Sequence, residues 1–139
     1  AEVLGKLGSE KAWVIHGSDG IDELTTTGPS YVSAYEDGKV TNFEVSPSDA
    51  GIPFSKTEDI KGGDAEENAK AMTAMLCGEK GAFRDIVIYT AAAALIVADK
   101  ASDLKEGAAI AADAIDSGKA QKALNSMISI TNEGDATAA

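Results

Sequence analysis

Short apolar runs alternate along the chain with polar stretches broken by glycine and proline, and the spacing within each run predicts its element. Ala1-Glu2-Val3-Leu4-Gly5-Lys6-Leu7-Gly8 reads as the last turns of a helix closed by a glycine cap. The polar turn Ser9-Glu10-Lys11 leads into a buried strand, Ala12 to His16, centred on Trp13-Val14-Ile15. Helix tail, turn and strand together look like the second half of a crossover unit. A glycine-broken acidic loop follows, then Leu24-Thr25-Thr26-Thr27 and the breaker pair Gly28-Pro29. Ser30 to Val45 predicts a hairpin turning at Asp37-Gly38, which sets Glu36 opposite Lys39 and Val32 opposite Phe43. Val32, Ala34, Phe43 and Val45 then share one face, with Tyr35 and Val40 on the other, so the hairpin is expected to lie against the domain.

Ser46 to Gly63 holds Pro47, Pro53 and three glycines and reads as a long loop. Helical spacing takes over at Asp64, where Glu67 stands in the capping-box position; Ala65, Ala69, Met72, Met75 and Leu76 form the expected buried stripe and Gly78 the stop. A second helix over about Phe83 to Lys100 is apolar nearly all round, which predicts central burial. A third runs from an Asp103 cap, with Glu106 in the capping-box position, to about Asp116, burying Leu104, Ala108, Ala111, Ala112 and Ile115. Ser117-Gly118 breaks it. Lys119 to Ile130 is a fourth, with its apolar face on Ala123, Leu124, Met127 and Ile128, and Thr131 to Ala139 has no apolar anchor and is expected to be mobile.

Composition narrows the function classes. The 139 residues, 44% hydrophobic, suit one globular unit, and 23 acids against 12 bases leave a net charge of -11. That balance argues against a nucleic-acid partner, which needs a basic footprint. The longest apolar run, Ile86 to Ala98, is too short and alanine-rich to cross a membrane, and no signal-peptide pattern opens the chain. A lone cysteine, Cys77, allows neither an internal disulfide nor a thiolate cage, which favours a cytoplasmic address. With neither an initiator Met nor a helix start, the chain is expected to be a fragment.

The candidate chemistry lies in His16-Gly17-Ser18-Asp19-Gly20-Ile21-Asp22-Glu23. Adjacent acids such as Asp22 and Glu23 diverge on a helix or strand, and only an irregular loop turns both carboxylates to one cation. Two readings stand: a solvated loop in which Asp19 and Asp22 satisfy turn and capping needs, or a magnesium site, since Mg²⁺ is held by one or two carboxylates plus substrate phosphates. The EF-hand pattern does not fit. His16, the only histidine, cannot build a zinc site without a second His or Cys and is expected to be a hydrogen-bonded structural residue at the end of its strand. Cys77, near a helix C-terminus, suits no nucleophilic role. Gly62-Gly63 before the Asp64 helix could form an anion site, but Asp64, Glu66 and Glu67 already fill that end with negative charge, leaving a tight helix entry.

Four motifs, His16-Gly17-x-Asp19-Gly20-x-Asp22-Glu23, Thr27-Gly28-Pro29, Gly62-Gly63-Asp64-Ala65-x-Glu67-Asn68-Ala69 and Ala91-Ala92-Ala93-Ala94-Leu95, stand in the order and spacing of the anthranilate phosphoribosyltransferase family, which the chain resembles from Ala1 to about Ile130. The resemblance implies an α/β fold: the C-terminal part of the nucleoside phosphorylase/phosphoribosyltransferase catalytic domain over residues 1–130, with a β-hairpin and about four helices, then a flexible tail over 131–139. It implies an enzyme that transfers the phosphoribosyl group from phosphoribosyl diphosphate to anthranilate in tryptophan biosynthesis, with Asp22 and Glu23 as ligands of Mg²⁺. The family's N-terminal helical domain, through which the full-length protein is expected to form a homodimer, and its glycine-rich diphosphate loop have no counterpart here, so the isolated chain is expected to be inactive. Thr90 stands where the family usually has Asn, an expected packing difference. The alternatives are a pyrimidine nucleoside phosphorylase-like enzyme and a non-catalytic binding module on the same fold.

Overall fold

A computed structural model of the chain describes residues 1–132. Three strands, β1 (Lys11–Gly17), β2 (Ser30–Glu36) and β3 (Lys39–Val45), form an antiparallel sheet in the order β1-β2-β3. The helices are α1 (Glu2–Lys6), α2 (Ala65–Leu76), α3 (Ala82–Val97), α4 (Leu104–Asp116) and α5 (Lys119–Asn132). The expected helix tail, hairpin and four later helices are therefore all present. The long loop contains two 3-10 turns, Pro47–Ala50 and Thr57–Ile60. Thr131 and Asn132 of the expected tail belong to α5, and 133–139 lie outside the described residues.

The hairpin register is the expected one, Glu36 against Lys39 and Val32 against Phe43. Asp37 and Gly38 both take positive φ, 49° and 76°, as a two-residue turn matched to strand twist requires. β1 pairs antiparallel with β2, Ile15 opposite Val32 and Gly17 opposite Ser30, and its other edge has no strand partner among the described residues, so the parallel strand that a crossover would need is not among them. Nor is β1 a buried strand. Ala12 and Gly17 are buried, but Trp13 and Ile15 are only half-buried and Val14 and His16 are exposed.

On the inner face Trp13 meets Phe43 edge-on, ring centroids 5.3 Å apart, over a floor of Val32 and Ala34. From there one continuous core passes through Val45 and Leu24 to Ile88, Tyr89 and Ala92 of α3 and on to Leu104, Ala108, Ala111 and Ile115 of α4. Helix α1 lies against β2, with Gly5 pressed on the ring of Tyr35.

Central burial of α3 holds for the face that carries Tyr89 and Ala92, both 0% exposed. Helix α4 approaches closely because Gly107 has no side chain: a Cβ there would stand 2.8 Å from the Ala92 carbonyl oxygen. Arg84, buried on α3, donates to the Asp116 carboxylate at the end of α4 over 2.9 Å and ties the seam at its rim. The α4 cap is Asp103, which accepts from Glu106 N at 2.8 Å; the Glu106 carboxylate accepts from Ser102 N and Oγ, so the expected box closes one residue earlier. The α2 box closes as expected, with Glu67 N donating to Asp64 and Asp64 N to Glu67.

Two expected faces are not covered. Of the α2 stripe only Met75 is buried, while Ala65, Ala69 and Met72 are exposed. No residue of α5 is buried, and Met127 and Ile128 stand out from it. Helical period identifies an apolar face, and a partner surface must then be present to bury it.

Candidate functional site

The acidic loop leaves β1 at Gly17 and is folded back on itself. Gly17 N donates to Ile21 O at 2.9 Å, Gly20 N to Gly17 O at 3.0 Å, and Ser18 N to Pro29 O at 3.0 Å. A side chain at position 17 would collide with Asp19 Oδ1 and Ile21 Cγ2, each 2.6 Å from its Cβ, so the close turn requires glycine.

The three acids separate into two roles. Asp19 is spent inside the loop: Oδ2 accepts from Thr25 Oγ1 at 2.6 Å and Thr27 Oγ1 at 2.7 Å, and Oδ1 accepts from Ile21 N at 3.4 Å. Partial burial pushes its carboxyl upward, but the hydrogen bonds from Thr25 and Thr27 outweigh that and hold it below the usual carboxylate range. Asp22 and Glu23 are exposed and accept no hydrogen bond or ion pair from protein groups among the described residues. Immediately after them Leu24, Thr25 and Thr26 are all 0% exposed. Thr25 N donates to Ser30 Oγ at 2.9 Å, and Ser55 N to Thr26 O at 2.9 Å. Two uncommitted carboxylates are thus presented on a segment that is anchored directly downstream, which lowers the entropy lost when a ligand orders them.

Hard, uncommitted carboxylate oxygens are donors of the kind that suits magnesium. Among the described residues no three His, Cys, Asp or Glu side chains gather into a metal cage. Two oxygen-bearing side chains leave most positions of an octahedral ion open, as suits a cation completed by water and substrate phosphate.

Beside the pair is a cleft of about 360 Å³ between the loop and α3, with Ile21 and Glu23 on one side and Phe83, Val87, Thr90 and Ala91 on the other. Among the described residues that line it, only Glu23 and Thr90 have polar side chains.

The other candidates fall away. His16 is exposed and takes no hydrogen bond among the described residues; its ring meets Tyr31 edge-on at 6.4 Å, so the expected hydrogen-bonded structural role is corrected. The strand is not buried there, which removes the demand for a partner. Cys77 is exposed as the C-terminal cap residue of α2. At Gly62-Gly63, Asn68 Oδ1 accepts from Gly63 N at 2.9 Å, and the helix entry is closed by the chain's own side chains. The clamp role of Thr25 and Thr27 was missed from sequence; the only signal was a run of three threonines directly behind the acids. The cleft had none, because α3 is distant in sequence.

Residues 1–121 match the family model described as "Glycosyl transferase family, a/b domain". The chain is 57% identical over 130 residues to the anthranilate phosphoribosyltransferase of Rhodospirillum rubrum, covering 94% of this chain and 38% of that protein. A solved anthranilate phosphoribosyltransferase from Thermus thermophilus superposes with a TM-score of 0.80 at 35% identity, over 91% of this chain and 37% of that one. The Saccharomyces cerevisiae enzyme, solved in complex with PRPP and Mg, shares the fold with a TM-score of 0.74 at 22% identity, over 81% of this chain and 33% of that one. The chain spans about two fifths of the length of the curated relatives it matches.

Proposed function

This chain belongs to the glycosyl transferase family through its a/b domain, and from that premise we propose that it is the C-terminal part of an anthranilate phosphoribosyltransferase. The full-length protein moves the phosphoribosyl group from phosphoribosyl diphosphate to the amine of anthranilate, and this segment supplies the metal-binding half of its active site. The observation that carries the reading is the division of labour among the loop acids: Asp19 is consumed by Thr25 and Thr27, while Asp22 and Glu23 have no partner among the described residues.

Asp22 and Glu23 are the proposed ligands of Mg²⁺. When bound, the cation neutralises charge on the departing diphosphate while positive charge develops on the ribose. The chain's own contribution is preorganisation. The Asp19 clamp fixes the loop's curvature, buried Leu24 anchors its far end, and β1 sets its origin. No nucleophile or strong base is required of this segment. The 139-residue chain alone is expected to be inactive, because among the described residues no basic side chain lines the cleft beside its carboxylates to receive the phosphates.

The test is Asp22→Asn with Glu23→Gln in the full-length protein. We expect a loss of transfer rate of roughly 100-fold or more and a raised magnesium requirement. Unchanged magnesium dependence would remove the metal assignment. Turnover by the purified 139-residue chain would remove the claim that it is only half of a site.

A further inference from the structure

Thr90 has a hydroxyl that its own helix does not use. Thr73 donates to Ala69 O at 2.8 Å and Thr131 to Met127 O at 2.9 Å, the usual way for a helical threonine to bond the carbonyl four residues back. Thr90 makes no such bond to Ile86. Its Oγ1 is buried with no partner among the described residues, in a half-buried side chain. Buried hydroxyls are almost always paired, because an unpaired one forfeits its bonds to water. Other buried atoms share this condition, including Tyr89 Oη and Thr26 Oγ1, but only Thr90 lines the cleft shared with Glu23. Glu23 has the complementary lack: an acceptor-only carboxylate with no donor among the described residues.

We propose that Thr90 is a positioning residue, its hydroxyl donating a hydrogen bond to the Glu23 carboxylate and fixing the direction from which that carboxylate meets the cation. The inference rests on the reading of Glu23 as a metal ligand. A threonine in a helix has two accessible χ1 rotamers, so the hydroxyl can turn into the cleft without backbone movement. The bond it makes there is charge-assisted and stands in a cleft whose other walls are apolar, where little else competes for either group. Outer partners of metal ligands act in this way, and their loss weakens metal binding by about 10- to 100-fold.

The experiment measures binding of Mn²⁺, as a stand-in for Mg²⁺, to the full-length protein in the presence of phosphoribosyl diphosphate, by calorimetry and by the electron paramagnetic resonance of the free ion. Thr90→Val keeps the shape and removes the hydroxyl; affinity should fall about tenfold while the thermal midpoint holds or rises. Thr90→Ser should restore affinity. If the valine variant does not fold, Thr90→Ala serves for the same comparison. In Thr90→Val combined with Glu23→Gln, affinity should be no lower than in Glu23→Gln alone, because the hydroxyl acts through that carboxylate. Unchanged affinity in Thr90→Val, with affinity lowered in Glu23→Gln, would overturn the positioning role and leave the metal assignment intact. Unchanged affinity in Glu23→Gln would overturn both.

Discussion

Helices α4 and α5 follow one another and carry the same kind of pattern, yet one is buried and the other is not. Helix α4 places Leu104, Ala108, Ala111 and Ile115 in the core, with Gly107 against the backbone of α3. Helix α5 buries nothing, and Met127 and Ile130 are 57% and 68% exposed. The difference lies in the facing surface. Helix α3 offers the small residue Ala92 to Gly107 of α4, so two backbones come together; α5 has no comparable surface opposite it among the described residues. An amphipathic pattern states which side a helix would bury, and only a complementary neighbour makes it stabilising.

Truncations give the widest test of that contrast. In the 139-residue chain, Leu104→Ala should cost about 2–5 kcal/mol by urea unfolding, whereas Met127→Ala should stay within about 0.5 kcal/mol. Equal costs would erase the distinction between the helices. Gly107→Ala comes next, since its Cβ would press on the Ala92 backbone rather than on a flexible side-chain end; about 1–3 kcal/mol is expected, with α3 and α4 both losing hydrogen-exchange protection. The caps sharpen the comparison further. Asp103→Ala should lower global stability by about 1 kcal/mol, while the same change at Asp64 should chiefly increase exchange within α2, because that helix buries only Met75.

The smallest effect concerns acid. The Asp19 carboxyl titrates below its ordinary value in the folded chain, so its hydrogen bonds contribute fully above the unfolded carboxyl's pKa, about 3.9, and are lost as pH falls through the lower folded value. Asp19→Asn should therefore flatten the stability profile below about pH 4. A profile identical to that of the parent chain would mean that the Thr25 and Thr27 bonds do not hold in solution.

Local signals were legible wherever the interaction spans only a few residues. Asp37-Gly38 specifies its turn and thereby the pairing of Val32 with Phe43, and Asp64 with Glu67 specifies a helix start. The candidate ligands were legible in the same way, as adjacent acids that need an irregular loop, and the chain that carries them belongs to the glycosyl transferase family through its a/b domain. The box expected at Asp103 slipped by one residue because Ser102 offers Glu106 both a backbone N–H and a hydroxyl. His16 was misjudged because the apolar run before it suggested a strand buried on both faces, whereas one face of β1 is half open.

By itself, then, the sequence determined the order and kind of the elements, the hairpin register, the helix caps and the presence of an acidic loop, since each depends on backbone preferences and hydrogen bonds between near neighbours. Tertiary structure decided which apolar faces are covered, which of the three loop acids is consumed by Thr25 and Thr27, and that Thr90 shares a cleft with Glu23. Those outcomes depend on surfaces far apart in the chain meeting with matched shape and polarity, and no local pattern encodes what will stand opposite.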